Sequence, residues 1–144
     1  ASTDYPNVMR GAGYAVAHLD DLGDGPGFRK VRKALEVTAF GVNAIVLPAG
    51  IETGFHYHDL QEELYFVHSG AIEMEFGDGS VERMEAGALA RVNPETVRKI
   101  RNAGDVDAVY LCAGGKDGYI GRDGRVREGE EARVRQLDGS GEPG

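Results

Sequence analysis

Apolar residues along this chain come in short bursts separated by glycine-rich turns. Asn43-Ala44-Ile45-Val46-Leu47 reads as a strand, stopped by Pro48-Ala49-Gly50. Leu64 to Val67 and Ala71 to Phe76 follow, and Gly77-Asp78-Gly79-Ser80 is a hairpin signal. Val81 to Glu85, Ala88 to Val92, Val97 to Arg101 and Ala108 to Cys112 continue at the close, regular spacing of an all-β sandwich or barrel. No 3.6-residue periodicity of useful length interrupts this centre. Phe28 to Leu35 is basic and fits either a strand or a short helix. The pattern divides the chain into an N-terminal arm and loop over residues 1–35, a barrel core over 36–115 and a polar extension over 116–144. In the extension, Lys116-Asp117-Gly118 and Arg122-Asp123-Gly124 read as turns and Val134 and Leu137 are the few apolar anchors. It is expected on the surface, with residues 138–144 disordered.

Composition narrows the partners. The chain has 144 residues, 41% of them hydrophobic, which suits one domain with a real core. A formal charge of -8 disfavours nucleic acid and anionic membranes. No apolar run approaches a bilayer span, and Ala1-Ser2-Thr3-Asp4 has neither a basic nor an apolar leader segment. The single cysteine, Cys112, excludes an internal disulfide and fits a reducing, cytoplasmic setting. At a strand end with no base beside it in sequence, it reads as a buried, inert thiol. Gly11-Ala12-Gly13 lacks the third glycine of a dinucleotide site, and Asp20 to Asp24 lacks the spacing of a calcium loop.

The chemistry concentrates between Gly50 and Gly70, where His56, His58 and Glu63 lie. Two histidines separated by one residue on an extended segment point the same way, with Cα atoms roughly 7 Å apart. Glu63 opens the next apolar run and can bring a carboxylate to the same place. Two imidazoles and a carboxylate suit iron, manganese, nickel, copper or zinc. Gln61 is a nearby substitute ligand, while Glu62 has the opposite phase and is expected to face solvent or a partner.

The spacing G-x5-H-x-H-x4-E-x6-G from Gly50 to Gly70 resembles the first sequence motif of the cupin superfamily. Gly87, Pro94 and Asn102 fit the second motif, whose usual histidine ligand is here Arg98. The resemblance implies a cupin jelly-roll barrel of two packed antiparallel sheets, with His56, His58 and Glu63 on the wall of a pocket at its mouth. It further implies a divalent metal ion (zinc, manganese, iron or nickel) and a small polar or anionic ligand, and leaves open an oxygenase, isomerase or epimerase. The alternative is a metal-free binding or storage protein.

A guanidinium has no acceptor and cannot ligate a cation. Arg98 therefore has three possible placements. It pairs with Glu63 in place of a metal, it clamps an anionic ligand beside a three-ligand metal, or the register is shifted and it lies outside. Tyr65 and Val67 share phase with Glu63 and are expected inside, Tyr65 as a second ligand-binding group. Leu64 and Phe66 then face outward. An apolar pair there requires cover from another layer or a second subunit, which predicts a homodimer.

Overall fold

The computed structural model describes residues 4–126. Twelve strands and two short helical turns follow one another as β1 (Met9–Gly11), β2 (Tyr14–Val16), a tight turn at Leu19–Asp21, β3 (Gly27–Arg29), α1 (Val31–Leu35), β4 (Gly41–Leu47), β5 (His56–His58), β6 (Glu62–Ser69), β7 (Ala71–Phe76), β8 (Val81–Glu85), β9 (Leu89–Val92), β10 (Arg98–Arg101), β11 (Ala108–Gly115) and β12 (Gly124–Val126). The ambiguous basic segment is both things expected of it, a three-residue strand and then a single helical turn.

Two five-stranded antiparallel sheets form the barrel, in the orders β12-β5-β10-β7-β8 and β3-β4-β11-β6-β9. Strands with period-two alternation turn one side chain in two toward the space between the sheets. Ile45, Leu47, Tyr65, Val67, Ile72, Met74, Met84, Val92, Ile100 and Tyr110 meet there as one core. β3 and β12 both pair with barrel strands, so the sheets run beyond the 36–115 span that composition suggested. The chain after Val126, including the segment expected to be disordered, lies outside the described residues.

Two motif residues act on the fold itself. Asn102 is fully buried, donates from Nδ2 to the Leu47 and Val106 carbonyls at 2.9 and 2.7 Å, and accepts from Gly104 N–H at 2.9 Å. It ties the ends of β4, β10 and β11 together with one amide. Gly70 turns the chain from β6 to β7 at φ +72°, and a Cβ there would meet Asp107 O at 2.8 Å and Ala108 Cα at 2.9 Å. Only glycine combines that backbone conformation with so close an approach.

The outer faces of the two sheets differ. On the first, Lys99 and Arg101 oppose Glu75 and Glu73 across the β10–β7 pair, with Arg101 Nη2 2.7 Å from Glu73 Oε1. On the second, Leu64, Phe66 and Leu89 face outward. Phe66 lies under the chain's own arm, where it borders a cavity of about 210 Å³ with Leu19, Leu22, Val31, Leu35 and Leu111. The cover expected over Phe66 is thus intramolecular. Leu64 and Leu89 stay 48% and 64% exposed.

Candidate metal centre

β5 carries His56 and His58 on its inward face, and β6 brings Glu63 in from the other sheet. All three are buried, and one ligand atom from each lies within 4.8 Å of the others. The imidazoles stand nearly perpendicular, at 77°, with centroids 5.9 Å apart. The absence of a side chain at Gly114 gives Glu63 its room, since a Cβ there would come within 3.1 Å of Glu63 Cγ.

Arg98 lies directly opposite His56 across the β5–β10 pair and enters the barrel completely. The shifted register, with Arg98 outside, is therefore excluded. Its Nη2 donates to Glu63 Oε1 at 2.6 Å and its Nε to the Tyr65 hydroxyl at 3.3 Å. Its Nη1 is wrapped by the carbonyls of Asn93, Pro94 and Thr96 at 3.3, 3.2 and 2.7 Å. Tyr65 donates its hydroxyl to the same Glu63 Oε1 at 2.6 Å. The polar groups of both residues expected to meet a ligand are thus directed at Glu63 and a loop backbone.

Burial lowers the His56 pKa to about 4, helped by the Arg98 guanidinium, so its imidazole is neutral near pH 7. Burial would raise the Glu63 carboxyl. His58, Arg98 and His56 outweigh that and hold it well below the usual carboxylate range. Burial pushes the Cys112 thiol up, in keeping with an unreactive cysteine.

His58 is the least satisfied group in the cluster. Its Nε2 lies 3.1 Å from Glu63 Oε1 and its Nδ1 lies 3.5 Å from Asp123 Oδ2. Neither contact has hydrogen-bond geometry, so both buried ring nitrogens lack a hydrogen-bond partner. Two imidazoles, a carboxylate and an orphaned nitrogen among them are a donor set that fits a divalent ion.

Asp123 escaped the sequence reading. It sits in a glycine-rich turn of the polar extension, and its partners are some sixty positions earlier in the chain. Nothing local marks it. Gln61, expected as a substitute ligand, instead accepts the Ile120 N–H at 2.9 Å and belongs to the contact with that extension. Glu62 is exposed, as its phase requires.

A family model described as a cupin domain matches residues 43–114, half of the chain. The chain belongs to the cupin family. A cupin protein from Bacteroides fragilis is similar at 28% identity, covering 75% of this chain and 86% of that one with a TM-score of 0.62. A double-stranded β-helix protein from Klebsiella pneumoniae is similar at 21% identity, covering 78% and 96% with a TM-score of 0.66. A sugar phosphate isomerase of the cupin superfamily from Silicibacter pomeroyi is similar at 24% identity, covering 65% and 68% with a TM-score of 0.56. No curated protein matches the chain significantly.

Proposed function

We propose that this cupin binds a small anionic molecule at a divalent ion held by His56, His58 and Glu63, the ion being zinc, manganese, iron or nickel. The observation that carries this reading is His58. A buried polar atom left unsatisfied costs about 1–3 kcal/mol, and both its ring nitrogens are in that state beside two further donors. Metal-bound imidazoles are neutral. Glu63 and Asp123 against Arg98 then leave one negative charge, which a divalent ion turns into one positive charge. A small anion would balance it. Such an ion supplies Lewis acidity and open coordination positions, which is compatible with an isomerase, epimerase or oxygenase and with binding alone.

Arg98 stands in the slot of the usual histidine ligand in this reading. It and Tyr65 first serve to hold Glu63, and a ligand that meets them does so by sharing that contact. Elemental analysis of the purified protein tests the proposal. One equivalent of metal is expected, as is a rise in Tm on adding zinc or manganese to the stripped protein. His56→Ala and His58→Ala should each abolish that rise.

A second reading rests on the 2.6 Å contact between Arg98 and Glu63: a metal-free binding protein in which the guanidinium completes the site. It is adopted if the native protein carries no metal and its Tm is indifferent to added ions. On either reading the protein is a cytoplasmic homodimer in our proposal, supported by the lone free thiol and by Leu64 and Leu89 on the outer face of β6 and β9.

A further inference from the structure

The polar extension does more than lie on the surface. After β11 the chain crosses to the opposite sheet, and β12 adds to the edge of β5, pairing Gly124 with His58 and Val126 with His56. The strand that carries both histidines is therefore fixed on one side by this strap. Several contacts dock it. Arg32 stacks over the Tyr119 ring at 4.0 Å, Gln61 accepts the Ile120 N–H, and Arg125 pairs with Asp59 at 2.7 Å.

Asp123 is the buried point of the strap. Its carboxylate accepts the Leu60 N–H at 3.0 and 3.1 Å and the Gln61 N–H at 2.7 Å, which anchors it between β5 and β6. From that anchor Oδ2 stands 3.5 Å from His58 Nδ1, with both side chains almost wholly buried. An anion beside Nδ1 favours the tautomer that carries its proton there. Glu63 Oε1, 3.1 Å from Nε2, competes for that proton in the absence of an ion, whereas a divalent ion shared by Nε2 and Glu63 would take the Nε2 lone pair and leave the proton on Nδ1 facing Asp123. His56 is arranged alike, with its Nδ1 3.4 Å from the Gly54 carbonyl.

We infer that Asp123 is a positioning residue that sets the tautomer and ring orientation of His58, so that the site is complete only when the strap is docked. The inference rests on the proposed role of His58 as a metal ligand. Such outer partners of histidine ligands commonly change metal affinity about 10–100-fold.

The test uses the full chain and the Asp123→Asn variant, which keeps an oxygen for the Leu60 and Gln61 N–H groups but loses the charge. Zinc titrated calorimetrically into stripped protein should bind the variant about 10–100-fold more weakly than the parent. Nitrogen-15 imidazole spectra of the zinc-loaded parent should show His58 with its proton on Nδ1 and Nε2 bound to the ion, the signal being assigned by its loss in His58→Gln. The zinc-loaded variant should show that signal shifted or broadened. Parent-like zinc affinity in Asp123→Asn, where His58→Ala abolishes binding, overturns the inference and leaves the metal reading standing. A parent that takes up no zinc sinks the metal reading and this inference with it. If the variant does not fold, the parent spectrum still decides, because an Nε2-protonated His58 in the zinc-loaded protein overturns the inference.

Discussion

At the residue scale Arg98 decides what kind of site this is. A guanidinium with no exposure is tolerated because five backbone and side-chain acceptors surround it. Replacing it by methionine leaves Glu63 buried without its cation and should lower the stability of the metal-free protein by about 3–5 kcal/mol, read from denaturant midpoints. Arg98→His is more discriminating. Without metal it should also destabilise, whereas with metal it adds a fourth ligand and should tighten binding. Equal stability and equal metal affinity in Arg98→His and parent would show that the pair carries neither role. Acid should act through the same cluster. An unfolded imidazole protonates near pH 6.5, while folded His56 resists protonation until about pH 4. Between those values the unfolded chain holds more protons, so stability falls as pH drops, by about 3 kcal/mol in total. Glu63, depressed in the folded state, takes further stability away as pH falls below its ordinary 4.5. Denaturation across pH with chelator present should show both steps. His56→Gln should remove the upper one, and an unchanged profile in that variant would rule His56 out as its source.

At the element scale the turns matter more than the strands. The β6–β7 turn needs Gly70 for two reasons at once, positive φ and contact with the backbone of Asp107 and Ala108. The β7–β8 turn needs Gly79 only for its φ of +92°, since nothing lies within 4 Å of a Cβ there. Gly79→Ala should thus cost about 1–2 kcal/mol, the penalty of a left-handed non-glycine residue. Gly70→Ala should cost clearly more, because the ends of β6 and β11 must also separate. Melting temperatures of the two variants side by side check this, and similar losses would mean that the close approach at Gly70 relaxes without strain. The same scale shows the limit of composition as a guide. β12 lies in a charged, glycine-rich stretch, yet it is held as a strand by pairing with β5 and by the Asp123 anchor rather than by apolar side chains.

For the whole molecule the asymmetry of the two outer faces is the useful feature. One is laced with cross-strand ion pairs, the other presents Leu64 and Leu89 beside the arm. An exposed apolar patch of this kind favours association. Light scattering should give about twice the 15.4 kDa chain mass at micromolar concentration, and Leu64→Glu should shift the protein toward monomer with its barrel intact. A parent mass near that of one chain would count against the dimer. Strap, arm and barrel are coupled in the same way: Arg32 of α1 stacks on Tyr119 of the strap, so both flanks of the core brace one edge of the site.

The order of β4 and β6 to β11, the inward phase of His56, His58, Glu63, Tyr65 and Val67, and the place of Gly70 at the end of the motif were all legible in the sequence. Each follows from a local rule, either period-two alternation or turn chemistry, or from motif spacing, and such rules act within a few residues. What Arg98 touches, what covers Phe66, and the reach of Asp123 to His58 were decided only by the tertiary structure. Arg98 had three placements in sequence, the shifted register disfavoured by the fit of Pro94 and Asn102 to the motif; register with His56 removes it, and the contact with Glu63 fixes what the guanidinium touches. Phe66 is half-buried, bordered by a segment from the N-terminal arm, and Asp123 finds its partners across some sixty residues. Contacts of that span arise from chain topology and docking, and leave no periodic trace in the residues that make them.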